Sequence, residues 1–118
     1  MTRAAISVAT PADPDPLLDP RFGRAEAFLV LDETGQVVQR VSNPHRNAGH
    51  GAGPAVAGWM RDLGVETVIS GEFGPKALAS LNALGITPLT APPGLRVSEA
   101  HRRFTEGTLE RKATRGWR

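Results

Sequence analysis

Three short segments of this chain combine arginine or glutamate, histidine and glycine residues whose side chains and backbone could form a ligand site. The segments are residues 19–24 (DPRFGR), 43–54 (NPHRNAGHGAGP) and 71–75 (GEFGP). Two of the segments lead into predicted helices, and a glycine-rich turn before a helix exposes backbone N–H groups at the positive end of the helix dipole. With Arg21, Arg24 and Arg46 nearby, these helix starts predict a pocket for a multiply charged anion.

The candidate metal ligands are two histidines of the middle segment. The chain contains no cysteine, which excludes disulfides, thiolate zinc sites, cysteine nucleophiles and iron–sulfur clusters held on thiolates. His50 lies in a glycine-flanked loop before a helix start, where no apolar pattern requires it. His45 shares that loop but follows a proline, so we expect it to be more exposed. His101 is predicted to lie on the surface of a helix that also carries arginines.

The chain lacks the residue patterns of common enzymes. None of its serines occupies a nucleophile elbow of the GxSxG type, and its carboxylates are too dispersed for a two-metal hydrolase. The segment GHGAGP lacks the lysine and Ser/Thr of a phosphate-binding P-loop, and no GxGxxG follows the first strand. We therefore expect a non-catalytic binding protein that takes no nucleotide.

The apolar periodicity predicts an α/β fold that would bring the three segments together. The predicted elements are a strand at 4–9, a hairpin of strands at 26–32 and 36–42 with Gly35 in its turn, a helix from Pro54, a strand at 65–70, a helix from Gly74-Pro75, a strand at 86–89 and a helix at 97–106 capped by Ser98. The second strand should run against four parallel ones, with helices on the faces of the sheet. Such sheets bind their ligands at the carboxyl ends of the parallel strands.

Each of these features also has a simple structural explanation. The glycines at 49, 51 and 53 could serve only a tight turn, and Gly71 and Gly74 could serve close packing and capping. Arg21 and Arg24 could be solvated or paired with Asp19 and Glu26. Phe22 and Phe73 are expected to fill the core beneath the loops.

Composition indicates a single globular domain with a basic C-terminus. The 118 residues carry a net charge of +2, with 40% hydrophobic residues and no long apolar run. Residues 101–118 hold six Arg and Lys against two Glu, so this end carries +4 and residues 1–100 carry −2. We predict a domain at 1–109 and a basic, disordered tail at 110–118. The absence of tyrosine argues against nucleic acid as a partner, and we expect a cytoplasmic protein that does not enter membranes.

Several segments together resemble the dinitrogenase iron–molybdenum cofactor biosynthesis family. They are DPRFGRAEAF (19–28), HGAG (50–53), VETVISGEFGPKA (65–77), LGI (84–86) and VSEAHRRFTEGTL (97–109). The resemblance covers nearly all of residues 3–109. It implies a ribonuclease H-like three-layer α/β/α sandwich with a five-stranded mixed sheet, and a small protein that binds, stores or carries iron–sulfur or iron–molybdenum cluster intermediates.

The resemblance also implies roles for particular residues. His50 would be the first ligand to a cluster metal, with His45 as the second candidate. The floor of the site would be shaped by Arg21, Arg24, Gly51, Gly53, Gly71 and Gly74. Because cysteine is absent, the cluster must arrive with its own sulfides and be held weakly and exchangeably, as suits a carrier. Its partners would be metallocofactor assembly proteins or an acidic protein.

Two other functions compete with a cluster carrier. The first is a protein-interaction or regulatory module of the same fold that binds no cluster and uses the basic tail and the edge strand at 36–42. The second is a hydrolase acting on phosphate esters at the glycine-rich helix starts, which has the least support in the sequence.

Overall fold

The structure, a computed structural model, describes residues 3–112, with the exception of the side chain of His50. The described chain forms, in order, β1 (Ala4–Val8), β2 (Ala27–Leu31), β3 (Val37–Ser42), a 3-10 turn (Gly49–Gly51), α1 (Ala52–Asp62), β4 (Thr67–Ser70), α2 (Pro75–Ala83), β5 (Thr87–Thr90), α3 (Val97–Glu106) and β6 (Glu110–Arg111). Residues 113–118, most of the predicted tail, lie outside the described residues.

The strands form one mixed sheet in the order β3-β2-β1-β4-β5-β6. Strand β1 is antiparallel to β2 and parallel to β4, while β5 continues in parallel beside β4. Because β3 runs antiparallel to β2, it is parallel to β1. The prediction that the second strand runs against four parallel ones is therefore confirmed.

The prediction of five strands is wrong, because the structure adds β6 antiparallel to β5. The chain reverses direction after α3 at Gly107, whose φ of 73° lies in the left-handed region that favours glycine. It returns along the edge of β5, where the Lys112 N–H donates to the Pro88 carbonyl at 3.0 Å. A strand of two residues is too short to show an alternating pattern in the sequence.

Helices cover both faces of the sheet and make three layers. On one face, α1 and α2 pack on a core that includes Phe28 and Val30 of β2. On the other face, α3 packs on a core that includes Leu29 and Leu31 of the same strand. This alternation follows from the strand period of two. Within residues 3–112, no helix is long and apolar enough to cross a membrane.

The prediction that His101 lies on the surface is wrong. Its exposed fraction is 9%, and its ring packs against the hairpin turn at Gly35 and edge-on to Phe104, 5.9 Å away between ring centres. Val97, Ala100, His101 and Phe104 recur at i, i+3, i+4 and i+7, which is the spacing of one buried helix face. The arginines that follow His101 lie outside this face.

Two predicted helix starts differ from the structure. Helix α1 begins at Ala52 rather than Pro54, because proline is tolerated throughout the first turn, where backbone N–H groups have no helical acceptor. Helix α3 is not capped by Ser98. Instead the carboxylate of Asp15, from the proline-rich loop, accepts the Ser98 backbone N–H at 2.9 Å and its hydroxyl at 2.6 Å.

Candidate functional site

A cleft of about 420 Å³ lies beside the carboxyl ends of β1 and β4, at the edge of the sheet where the topology predicts a ligand. Three chain segments build it: the loop after β1, the turn into α1 and the turn from β4 into α2. Its lining residues are Arg21, Phe22, Gly23, Arg24, Gly49, Ala52, Gly53, Pro54, Glu72, Gly74, Pro75, Lys76 and Ala77.

The first turns of α1 and α2 meet in this cleft because small residues let them approach closely. A Cβ atom on Gly53 would lie only 2.8 Å from the Cβ of Ala77. One on Gly23 would lie 3.1 Å from the Gly53 nitrogen. Both N-cap residues are glycines, and neither first turn contains an acidic residue. The positive ends of two helix dipoles therefore border the cleft without a neutralising carboxylate in their own first turns.

Three cationic side chains and one carboxylate line the cleft: Arg21, Arg24 and Lys76 against Glu72. The Arg24 Nη2 donates to the Gly49 carbonyl at 3.2 Å, which directs its guanidinium toward the turn into α1. The side-chain charges, added to the helix dipoles, make the cleft electropositive. Its chemistry suits an anion with several hydrogen-bond acceptors.

Arg21 is paired with the carboxylate of Asp19, one of the two partners considered from the sequence. The Asp19 Oδ2 lies 3.1 Å from the Arg21 Nη2, and the side chains are 2% and 58% exposed respectively. The hydrogen bonds that the Arg21 side chain donates to Asp19, with the attraction between the two charges, raise the pKa of Arg21 above its ordinary value. Arg21 therefore stays cationic under all physiological conditions.

The loop that carries Arg21 is fixed to the turn after β4. The Phe22 N–H donates to the Glu72 carbonyl at 3.2 Å, and the Glu72 N–H donates to the Pro20 carbonyl at 2.6 Å. Gly71 permits this contact, because a Cβ there would lie 2.7 Å from the Pro20 Cα. Phe22 is 1% exposed and packs against Phe73, with ring centres 5.1 Å apart. The cleft therefore has a rigid apolar base.

The structure brings some of the predicted site residues together and separates others. Arg21, Arg24, Gly53 and Gly74 line the cleft. Gly51 is the N-cap of α1, and Gly71 is a packing residue at Pro20.

The two candidate histidines are placed differently. His45 is not among the residues that line the cleft, and its ring lies edge-on to Trp59 with ring centres 6.1 Å apart. The His50 backbone lies in the 3-10 turn at the rim of the cleft, and its side chain lies outside the described part of the structure. Among the side chains of residues 3–49 and 51–112, no three His, Asp or Glu groups lie close enough together to hold a metal ion.

Lys76 is a cleft residue that the sequence analysis did not single out. Its position offered a signal, because it follows Gly74-Pro75 directly and so lies in the first turn of a helix predicted to border the site. Side chains in a first turn flank the N–H groups that bind anions.

Comparison with known proteins identifies relatives that cover nearly the whole chain. A family model described as dinitrogenase iron–molybdenum cofactor matches residues 2–107. An uncharacterized protein of Methanocaldococcus jannaschii is 33% identical over 109 residues, which are 90% of this chain and 91% of that protein.

Two solved structures share the fold at similar identity. The apo form of the orange protein from Desulfovibrio gigas is 35% identical with a TM-score of 0.87, covering 96% of this chain and 94% of that one. A NifB-like protein from Thermotoga is 34% identical with a TM-score of 0.80, covering 100% of this chain and 98% of that one.

Proposed function

Because this chain belongs to the dinitrogenase iron–molybdenum cofactor family, we propose that it binds and carries an anionic iron–sulfur or iron–molybdenum cluster, or a precursor of one, for metallocofactor assembly. The observation that carries the proposal is the electropositive cleft where α1 and α2 begin. The protein acts as a carrier and not as a catalyst.

The cleft has the size and chemistry that such a cargo needs. Its volume of about 420 Å³ falls within the range of roughly 300–1,000 Å³ typical of small-ligand sites. Metal–sulfur clusters are anions whose sulfides accept hydrogen bonds. Arg21, Arg24 and Lys76, with the helix starts, supply the hydrogen-bond donors. The positive charge comes from Arg24, Lys76 and the two helix dipoles.

The cargo brings its own sulfides, since the chain has no cysteine to supply thiolates. His50, at the rim of the cleft, is the proposed first ligand to a cluster metal, and His45 is the second candidate. Gly71 takes part through the close approach to Pro20 that it permits, and Gly51 takes part as the N-cap of α1. A cluster held by one imidazole and hydrogen bonds exchanges readily, as transfer between assembly proteins requires.

The relatives support a cofactor-related role. The orange protein was solved in an apo form, and the Thermotoga relative is described as NifB-like. We propose metallocofactor assembly proteins as partners and the cytoplasm as location. The order β3-β2-β1-β4-β5 with an antiparallel β2 supports the ribonuclease H-like assignment of the fold.

The test is an anaerobic titration of the purified protein with a soluble iron–molybdenum–sulfur cluster, followed by gel filtration and metal analysis. We expect stoichiometric co-elution with the wild type and its loss in His50→Ala. His45→Ala is the matched variant, because it removes a histidine from the same loop away from the cleft. Equal loss in both variants would assign the metal to the two histidines jointly, and no loss in either would remove histidine from the site.

A protein-interaction module that binds no cluster remains the second candidate, because β3 is an edge strand of the sheet formed by residues 3–112. Val37 and Val38 on this strand are 36% and 42% exposed, and an edge strand can pair with a strand of another protein. If the wild type failed to co-elute with the cluster, this function would be favoured. Deletion of residues 113–118, which removes most of the predicted tail and keeps β6, would then show whether this part of the tail is needed to capture a partner.

A further inference from the structure

We infer that Asp19 is the positioning residue of the cleft, and that it fixes Arg21 as a source of directed hydrogen bonds rather than of net charge. The inference rests on the proposed function and specifies how the cleft selects among anions. Arg21 would select by geometry, whereas Arg24 and Lys76 would attract anions without directional preference.

The Asp19 carboxylate holds Arg21 at three points. Its Oδ1 accepts the Arg21 backbone N–H at 2.9 Å and the Nε–H at 3.2 Å, and its Oδ2 accepts from Nη2 at 3.1 Å. A guanidinium has five N–H donors. Asp19 takes two of them, which leaves three, on Nη1 and Nη2, available on the side away from Asp19.

Asp19 is itself fixed to the centre of the sheet. Its N–H donates to the Ser7 carbonyl at 2.8 Å. Its carbonyl oxygen lies 2.6 Å from the Ser7 Oγ and 3.3 Å from the Ser70 Oγ, and the two hydroxyls are 2.7 Å apart. Ser7 and Ser70 are fully buried in β1 and β4. A buried network whose members are all hydrogen-bonded is rigid. The sheet therefore sets, through Asp19, the direction in which the Arg21 guanidinium presents its remaining N–H donors.

The other two cations of the cleft are held differently. Neither Arg24 nor Lys76 forms an ion pair within residues 3–112, leaving aside the His50 side chain. Each therefore contributes a full positive charge. The Arg21–Asp19 pair contributes none in total, because its two charges cancel.

The Asp19→Asn variant distinguishes two possible roles of the Arg21–Asp19 pair, because the two roles predict opposite changes in anion affinity. If only net charge mattered, removing a negative charge beside the cleft would strengthen anion binding. If Asp19 positions Arg21, the neutral amide of Asn no longer holds the Arg21 guanidinium in place. Anion affinity then falls by roughly tenfold, as expected for the loss of a charge-assisted hydrogen bond.

Glu72→Gln is the matched control. It removes the other negative charge at the cleft, and the bonds that Glu72 makes to the Arg21 loop come from its backbone, which the substitution retains. Both roles predict tighter anion binding for this variant. Arg21→Lys is an independent test that keeps the charge and removes the planar fork. It leaves Asp19 in place, so it decides the question if Asp19→Asn does not fold.

The experiment is the anaerobic titration with the soluble iron–molybdenum–sulfur cluster, repeated at several potassium chloride concentrations. We expect weaker binding by Asp19→Asn and Arg21→Lys, with the salt dependence of Arg21→Lys unchanged, and tighter binding by Glu72→Gln. A Lys76→Gln variant should reduce the salt dependence, because it removes a screened charge.

Two results would overturn the inference. The first is Asp19→Asn binding as tightly as the wild type or more tightly, with Arg21→Lys also unaffected. The second is a wild type that does not bind the cluster, which overturns the proposed function as well. The two failures are distinguishable, because one occurs only in the variants and the other already in the wild type.

Discussion

The N-termini of α1 and α2 differ from the N-terminus of α3 in whether the protein supplies an acceptor and a negative charge for their free backbone N–H groups. Helix α3 has the Asp15 carboxylate bonded to its Ser98 N–H, and it has Glu99 in its first turn. Helices α1 and α2 begin at glycine N-caps, have no acid in their first turns and border the cleft. All three starts lie at the carboxyl edge of the parallel strands.

The comparison shows which helix starts remain free to bind a ligand. A helix start needs acceptors for its N–H groups and favours negative charge. At α3 the chain supplies both from its own proline-rich loop. At α1 and α2 it instead adds Arg24 and Lys76, which form no ion pair among the described side chains and would be unfavourable next to two positive dipole ends without a bound anion. This arrangement is typical of an anion site.

Removing the cap of α3 should give the largest change in stability. Asp15→Ala is expected to lower the free energy of unfolding by about 1–2 kcal/mol, the usual value of a helix cap, because Ser98 loses its acceptor. Cluster affinity should not change, since Asp15 does not line the cleft. Urea denaturation and the anaerobic titration measure the two quantities.

Asp13→Ala is the control for the Asp15 variant, because it removes a carboxylate from the same loop without removing a side-chain hydrogen bond recorded between described residues. Its effect should stay within about 0.5 kcal/mol. An equal loss in both variants would mean that the loop, and not the cap, stabilises α3.

Placing an acid in the open start of α2 should have a smaller effect on stability, with the opposite sign. Lys76→Glu is expected to raise the free energy of unfolding by about 0.3–1 kcal/mol through the helix dipole, while cluster binding falls sharply. Lys112→Glu makes the same charge change outside the cleft and should retain cluster binding. If both variants lost the same affinity, net charge rather than the cleft would determine binding.

Lowering the pH should produce the smallest change in stability. It should act through two carboxylates that lie outside the cleft, one in the hairpin turn and one on α3. Hydrogen bonds from Thr34 lower the pKa of Asp32 in the hairpin turn, and those from Arg102 and Arg103 lower the pKa of Glu99 on α3. A lowered pKa means stabilisation that is present above the ordinary values of 3.8 and 4.5 and is lost as the pH falls through the folded-state values.

Asp32→Asn tests this pH dependence by chemical denaturation at pH 7 and near pH 3. The variant should be less stable than the wild type at pH 7, because Asn accepts hydrogen bonds more weakly than a carboxylate. The difference should shrink near pH 3, because below 3.8 the unfolded wild-type chain takes up a proton at Asp32 and the stabilisation begins to be lost. A difference that is equal at both pH values would contradict the assignment.

The order and type of most elements could be predicted from the sequence, because local signals mark them. Helix α3 was predicted with its observed bounds, since Gly107 is the left-handed residue that ends it. The hairpin turn at Gly35, with a φ of 91°, was predicted for the same reason. Strand β6 was missed because its two residues acquire strand structure only by pairing with β5.

The candidate site was predicted in part. That Arg21, Arg24 and the glycine-rich helix starts meet at one edge followed from the topology of parallel strands. The burial of His101 was missed although its spacing on α3 indicates it. Which residues of the cleft bind a metal–sulfur cluster stays a prediction, which the anaerobic titrations test.

The sequence by itself determined most of the elements, their order and the edge at which a ligand is expected to bind, because turn residues and apolar periods act over a few neighbouring positions. Only the tertiary structure decided which acids neutralise which partners. Asp15 reaches Ser98 across 83 positions of the chain, and Asp19 is fixed by Ser7 and Ser70 on two different strands. Contacts between residues so far apart in the chain exist only once the sheet has brought them together, and they leave α1 and α2 open while closing α3.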